Sequence, residues 1–195
     1  MLDYLGIMYT SPKKSIQILL AERRSVVMGL AIVLVSSLMN GLNLAYLVMV
    51  KGLSVIGLRI PFVIGASVIG IVMSSILIGV AAWLLIGGII YLFDKILQGK
   101  GSFEAVLIAY SYQWLPLLIT GLIAPVYYFL DAITGIVLYF FVNLIALVWG
   151  FIYVLITNAE ANKFSLGKSF AATIIAFIIV LAVIGSASIF LGGVM

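Results

Sequence analysis

Five stretches of this chain contain no Asp, Glu, Lys or Arg, and they constrain its fold more than any other feature. They run from Ser25 to Val50, Ile60 to Phe93, Ala105 to Leu130, Ala132 to Ala159 and Ser169 to Met195. Each is long enough for a membrane-spanning helix, which needs about 20 largely apolar residues. One central charge costs roughly as much on insertion as five or more Leu or Ile residues return, so such exclusion marks spans. Composition agrees: 66% of the 195 residues are apolar and 8% are charged, against about 25% charged in a soluble domain. Ten basic and six acidic side chains cannot cover a globular core, so lipid is the solvent for most of this surface. The expected class is all-α, a polytopic integral membrane helical bundle with five transmembrane helices. The loops are short, which implies a single domain over 1-195. A basic lead-in fills 1-24, and spans lie near 26-50, 62-93, 104-129, 132-157 and 169-192.

Cysteine and histidine are absent, which excludes disulfides, thiolate chemistry and imidazole ligands. The basic residues sit in pairs beside hydrophobic runs instead of forming a stripe, so they read as topology signals and no nucleic-acid partner is expected. Lys13, Lys14, Arg23, Arg24, Lys95, Lys100, Lys163 and Lys168 fall on one side, and Lys51 and Arg59 on the other. The positive-inside rule then places the N-terminus in the cytoplasm and the C-terminus outside. The run after Arg24 exceeds a signal peptide's apolar region of about 7 to 15 residues, so the first span is expected to stay attached. Ser11-Pro12 reads as a helix start. The amphipathic turn after it lies at the membrane surface or extends the first helix into water. Ser102 and Ser165 are expected N-caps of the third and fifth helices. A straight helix over Ile60 to Phe93 would reach about 51 Å, beyond a hydrocarbon core of about 30 Å. A helix from about Pro61, tilted, bent or entering through the interface, is the expectation.

Every ionisable residue falls at an expected helix end, which leaves no buried acid or base to relay protons or couple an ion. Asp131 is assigned to the turn between the third and fourth spans. Trp149, Tyr153, Thr157 and Asn158 read as an aromatic belt and exit of the fourth. No catalytic residue, cofactor or metal ligand set is expected, since no Ser-Lys or Ser-His pair, acidic pair or metal cluster is visible. Gly99-Lys100-Gly101-Ser102 lacks the glycine spacing of a phosphate loop. The most distinctive segment is Tyr110-Ser111-Tyr112-Gln113-Trp114-Leu115-Pro116. Pro116 should kink the third helix and free the Tyr112 carbonyl. Gln113 should face protein and bridge to Asn143, Ser111 or that backbone, as structural glue or as part of a polar cavity with Tyr110. Small residues in the second span form two rows at four-residue spacing, Ala66, Gly70 and Ser74, and Ser75 with Gly79; both are candidate helix-packing positions.

The order of short motifs is itself informative. Ser11-Pro12 is followed by Gly99-Lys100-Gly101-Ser102-Phe103, then Trp114-Leu115-Pro116, then Trp149 and Phe164-Ser165-Leu166-Gly167-Lys168-Ser169. This order resembles the Yip1 domain family, particularly its compact prokaryotic members, over nearly the whole chain. The resemblance implies five helices, a cytoplasmic N-terminus and no catalytic residues. Eukaryotic members act in membrane traffic and bind prenylated Rab-type GTPases. This chain lacks their long hydrophilic N-terminal region and their Asp-Leu-Tyr-Gly-Pro motif, which speaks against GTPase binding.

Two functions remain to be separated, while a third, an intramembrane enzyme or lipid-handling protein, is disfavoured because no nucleophile, base or metal set is visible. The first is a non-enzymatic integral membrane scaffold or adaptor in the bilayer, assembling with itself or with other membrane proteins. The second is a transport or permeation component with a polar site around the third helix. Either would sit as a multi-pass protein in the cell membrane of a prokaryote.

Overall fold

The computed structural model describes residues 2–21, 25–47 and 61–192. Arg23, Arg24, Lys51, Arg59 and the side chain of Ala66 lie outside the described residues. The described helices are, in chain order, α1 (Leu2–Thr10), α2 (Pro12–Ala21), α3 (Ser25–Ala45), α4 (Pro61–Ile96), α5 (Phe103–Ser111), α6 (Trp114–Ile123), α7 (Ala132–Asn162) and α8 (Leu166–Gly192), with a 3-10 helix at Ala124–Phe129. No strand occurs among the described residues. Among the described residues, five segments are long and apolar enough to cross a membrane: Val26–Ala45, Ser67–Ile96, Phe103–Tyr127, Ile133–Asn162 and Leu166–Val183. The all-α, five-span class read from the charge gaps is what the chain adopts.

Two helices run past the last residue that charge exclusion allotted to them. The span expected to end near residue 93 continues as an unbroken 36-residue helix from Pro61 to Ile96, about 54 Å long at about 1.5 Å per residue. Asp94 and Lys95 therefore sit in its last turn. The fourth span continues likewise to Asn162. Both helices end in the same six-to-one cap, which satisfies carbonyls that a helix end would otherwise orphan. At α4 the Gly99 N–H donates to Asp94 O at 2.7 Å and the Gln98 N–H to Lys95 O at 3.0 Å. At α7 the Phe164 N–H donates to Ala159 O at 3.1 Å and the Lys163 N–H to Glu160 O at 3.3 Å. Gln98 and Lys163 hold the left-handed position of each cap, at φ 66° and 56°.

The third span is broken. Helix α5 stops at Ser111, a turn occupies Tyr112 and Gln113, and α6 begins at Trp114. Pro116 thus stands in the first turn of a new helix, where its missing N–H has no partner to lose. The Tyr112 carbonyl that the proline cannot serve accepts the Leu115 N–H at 3.3 Å. In place of the expected kink at the proline, the helix is interrupted for one turn before it, with Gln113 keeping right-handed helical dihedrals at φ −61° and ψ −29°.

The chain divides into two compact units. One comprises Met1–Val26, Ala82–Tyr110 and Val154–Met195, the other Val27–Ala81 and Ser111–Tyr153. In the first, Met8, Ile16, Leu19, Ile90, Val106 and Val154 are buried. The apolar side of α2, expected at the membrane surface or in water, is covered by protein: Ile16 and Leu19 are buried while Lys13, Lys14 and Gln17 stay exposed. Gln17 Nε2 donates to Glu160 Oε1 at 2.7 Å, and Lys13 Nζ lies 3.6 Å from Glu160 Oε2. In the second unit, Leu47, Ala124, Tyr127 and Tyr139 form a core cluster, with the two tyrosine rings edge to face at 6.4 Å.

Candidate functional site

The first unit contains a buried acid that the sequence reading placed at a wet helix end. Asp94 is fully buried, and each of its carboxylate oxygens has an amide donor from α7. Asn158 Nδ2 donates to Oδ1 at 3.0 Å and Asn162 Nδ2 to Oδ2 at 2.8 Å. Asn162 Nδ2 also reaches Asn158 Oδ1 at 2.9 Å. On its other side, Asn162 Oδ1 accepts the Gly101 N–H at 3.1 Å, and the Asn162 backbone carbonyl accepts the Lys100 N–H at 3.1 Å. One side chain therefore ties the end of α4, the connection after it and the end of α7 together.

This arrangement gives the Gly99-Lys100-Gly101-Ser102 motif a physical reason. A Cβ on Gly99 would lie 2.6 Å from Asn162 Oδ1 and 2.9 Å from Asp94 O. A Cβ on Gly101 would lie 2.7 Å from Asn162 Oδ1 and 3.0 Å from Ala161 O. The two glycines are the clearance that lets the Asn162 amide dock, not a phosphate cradle. Ser102 then caps α5, its Oγ accepting the Ala105 N–H at 3.2 Å. Ser165 caps α8 in the same way, accepting the Lys168 N–H at 3.4 Å. Neighbouring polar groups also end on backbone: Trp83 Nε1 donates to Leu107 O at 2.8 Å, Thr157 Oγ1 to Ala109 O at 3.0 Å, and Lys168 Nζ to Leu97 O at 3.0 Å.

Sequence reasoning took Asn158 as a span exit and did not single out Asp94 or Asn162. The available signal was one acid directly after an apolar run, with two asparagines one helical turn apart at the end of another span. Charge gaps alone hide it, because they equate a charge with water.

The second unit contains a ladder between α3 and α6. Ser36 Oγ donates to Trp114 O at 3.0 Å, Asn40 Nδ2 to Leu117 O at 2.8 Å and Asn43 Nδ2 to Gly121 O at 2.7 Å. Both sets of residues ascend together by one turn, so the two helices run in the same direction. Asn143 on α7 joins through Thr120, whose Oγ1 donates to Asn143 Oδ1 at 3.2 Å. Gln113 is buried as expected, yet its Oε1 has no hydrogen-bond partner and it bridges neither to Asn143 nor to Ser111. What seats this turn is Gly150 on α7, where a Cβ would collide with the Gln113 carbonyl. Tyr110, buried beside Gly87, belongs to the first unit, whereas Gln113, Pro116 and Asn143 belong to the second.

The two rows of small residues separate. A Cβ on Gly79 would collide with Ser37 Oγ, and one on Gly41 would lie 2.9 Å from Ser75 Cβ. Ser37, Gly41, Ser75 and Gly79 thus give α3 and α4 a close contact. In the other row Gly70 and Ser74 are exposed, with open space around Gly70.

Among the described residues no three acidic, histidine or cysteine side chains stand together as a metal site. The family model for the Yip1 domain matches residues 5–187. No curated protein and no solved structure matches the chain. The protein is a multi-pass integral membrane protein by its five apolar spans, and the match across nearly its whole length makes it a member of the Yip1 domain family.

Proposed function

We propose that this protein is a non-enzymatic membrane scaffold or adaptor, placed in the cell membrane of a prokaryote with its N-terminus in the cytoplasm and its C-terminus outside. The observation that supports this reading is where the buried polar groups go. Asp94, Asn158 and Asn162 close on one another and on the backbone of the connection after α4, while Ser36, Asn40 and Asn43 close on carbonyls of α6. Donors engaged in this way hold helices in place. The exposed Gly70 and Ser74 on α4 offer a close-approach surface to a second copy or to another membrane protein. The test is crosslinking in native membranes followed by mass spectrometry of proteins and lipids. A recurrent protein partner, its yield lowered by Gly70→Leu, is expected; recovery of lipid alone would sink the reading. Orientation has its own test. A reporter fused after Met195 should read external and one within Gln98 to Ser102 cytoplasmic.

A transport or permeation role is the second reading. It is favoured by the helix break at Tyr112 and Gln113 and by the buried, unpartnered Gln113 Oε1, since broken spans often line pathways. Flux of a solute or ion through liposomes holding the purified protein, lost in Gln113→Leu, would favour it over the scaffold.

A further inference from the structure

The first unit carries a pocket of about 400 Å³ whose walls include Lys13 on α2, Ile156 and Glu160 on α7, and Lys163 and Leu166 where the chain turns into α8. That volume is at the small end of the range for ligand pockets, about 300–1,000 Å³. One span ends at Asn162 and the next begins at Leu166, so the pocket lies at a membrane face. Its cations are accessible: the side chains of Lys13 and Lys163 are 70% and 57% exposed, against 14% for Glu160. Both lysines turn to that one carboxylate, which sets their ammoniums within reach of a single bridging oxyanion. Lys163 Nζ donates to Glu160 Oε1 at 2.8 Å, whereas Lys13 Nζ stands 3.6 Å from Oε2, an ion pair outside hydrogen-bond reach. Each ammonium has three donors, so donors remain on both. Glu160 also accepts from Gln17 Nε2 at 2.7 Å and keeps that partner when the lysines lean toward another anion. Two ammoniums against one carboxylate leave one positive charge in excess. The start of α8 adds the positive end of its dipole, with no acidic side chain in its first turn.

We propose that this pocket binds the phosphate of an anionic glycerophospholipid, with Lys13 and Lys163 donating to the phosphate oxygens and an acyl chain passing along Ile156 and the exposed Leu166. Basic pockets between spans suit such heads, because the phosphate stays at the wet face while the chain stays in hydrocarbon. A zwitterionic lipid carries the same phosphate but adds an ammonium that an excess positive charge repels. The inference does not depend on the scaffold reading, since it concerns a bilayer lipid and not a protein partner.

The test uses the full chain purified in a neutral detergent, mixed with equal amounts of palmitoyl-oleoyl-phosphatidylglycerol and the matching phosphatidylcholine, and read by native mass spectrometry of the lipid-bound protein. One net charge near the surface predicts that phosphatidylglycerol is retained about fivefold over phosphatidylcholine. Lys13→Gln and Lys163→Gln should each bring the ratio close to one. The backbone tolerates the second change, since Gln98 holds the same left-handed position in the twin cap of α4. Lys14→Gln removes an equal charge from an exposed position on the same helix and should leave the ratio unchanged. Leu166→Trp, which narrows the pocket without altering a charge, should lower it. Equal retention of the two lipids by the unsubstituted protein would overturn the proposal, as would a Lys14→Gln effect as large as that of Lys13→Gln, or a ratio unmoved by Leu166→Trp. Inorganic phosphate matched against chloride at equal ionic strength separates the two sources of phosphate. Loss of the preference to phosphate alone would assign the lysines to a dissolved anion and overturn the lipid; a preference that survives it supports the lipid.

Discussion

Asn162 should be worth more to stability than the acid it serves. In Asn162→Ala the buried Gly101 N–H loses its acceptor, at about 1–3 kcal/mol for an unmet buried donor. Asp94 loses one of its two amide donors, and a hydrogen bond to a charged group is worth about 1.5–3 kcal/mol. Together these give about 2.5–6 kcal/mol. Asp94→Ala orphans less. Asn158 Nδ2 loses its carboxylate, but Asn162 Nδ2 keeps Asn158 Oδ1 at 2.9 Å and Asn158 O at 3.2 Å. Removing the carboxylate also removes the cost of burying it, so the net loss should be about 1–2 kcal/mol. Once Asn162 is gone, Asp94→Ala should add almost nothing, since the acid it removes is already short of a donor. The assay is reversible unfolding of the four proteins by dodecyl sulfate titration in mixed micelles, read as a double-mutant cycle. If Asp94→Ala costs as much as Asn162→Ala, or if the two losses add, Asn162 is not the hub of this cluster.

Gly79→Ala should destabilise by about 1–3 kcal/mol through its collision with Ser37, while Gly70→Ala, in open space, should stay within about 0.5 kcal/mol in the same titration. Gln113→Leu should leave stability unchanged or raise it, because the amide oxygen it removes has no partner; a clear loss would mean that Gln113 bridges helices after all. Asp131 caps α7, its Oδ1 accepting the Thr134 N–H at 3.0 Å, and its hydrogen bonds with Thr134 hold its pKa below the usual carboxylate value. A carboxyl depressed in the folded state stabilises above its unfolded pKa and loses that contribution as pH falls through the folded one. Asp131→Asn, which can cap without titrating, should therefore flatten the acid limb of thermal stability measured from pH 5 down to pH 3.

The spans were legible because insertion into lipid is priced by charge, and charge is written plainly in the sequence. The helix starts at Ser11-Pro12, Ser102 and Ser165 were legible because capping is local. What the sequence hid is long-range. Asp94 and Asn158 stand 64 positions apart, and nothing near Asp94 announces that its helix end is covered. Gln113 shows the complementary limit: polarity and a nearby proline identified a special segment and its burial. Which neighbour would meet the amide depended on the placement of Thr120 and Asn143, which the segment does not encode.

The ladder along α3 has a consequence for how such a protein drifts under mutation. Ser36, Asn40 and Asn43 are each held by an acceptor that every amino acid carries, the main-chain oxygen of position 114, 117 or 121. A change of side chain at Leu117 leaves its rung intact so long as the helix persists, whereas the donor at 40 has few replacements. Mutational tolerance across this interface should be one-sided, with α3 restricted in chemistry and α6 restricted only in bulk, as at Gly121, where a Cβ would lie 2.9 Å from Met39 Cβ. Paired substitutions, the usual trace of two residues in contact, would then be faint between these helices despite their three hydrogen bonds.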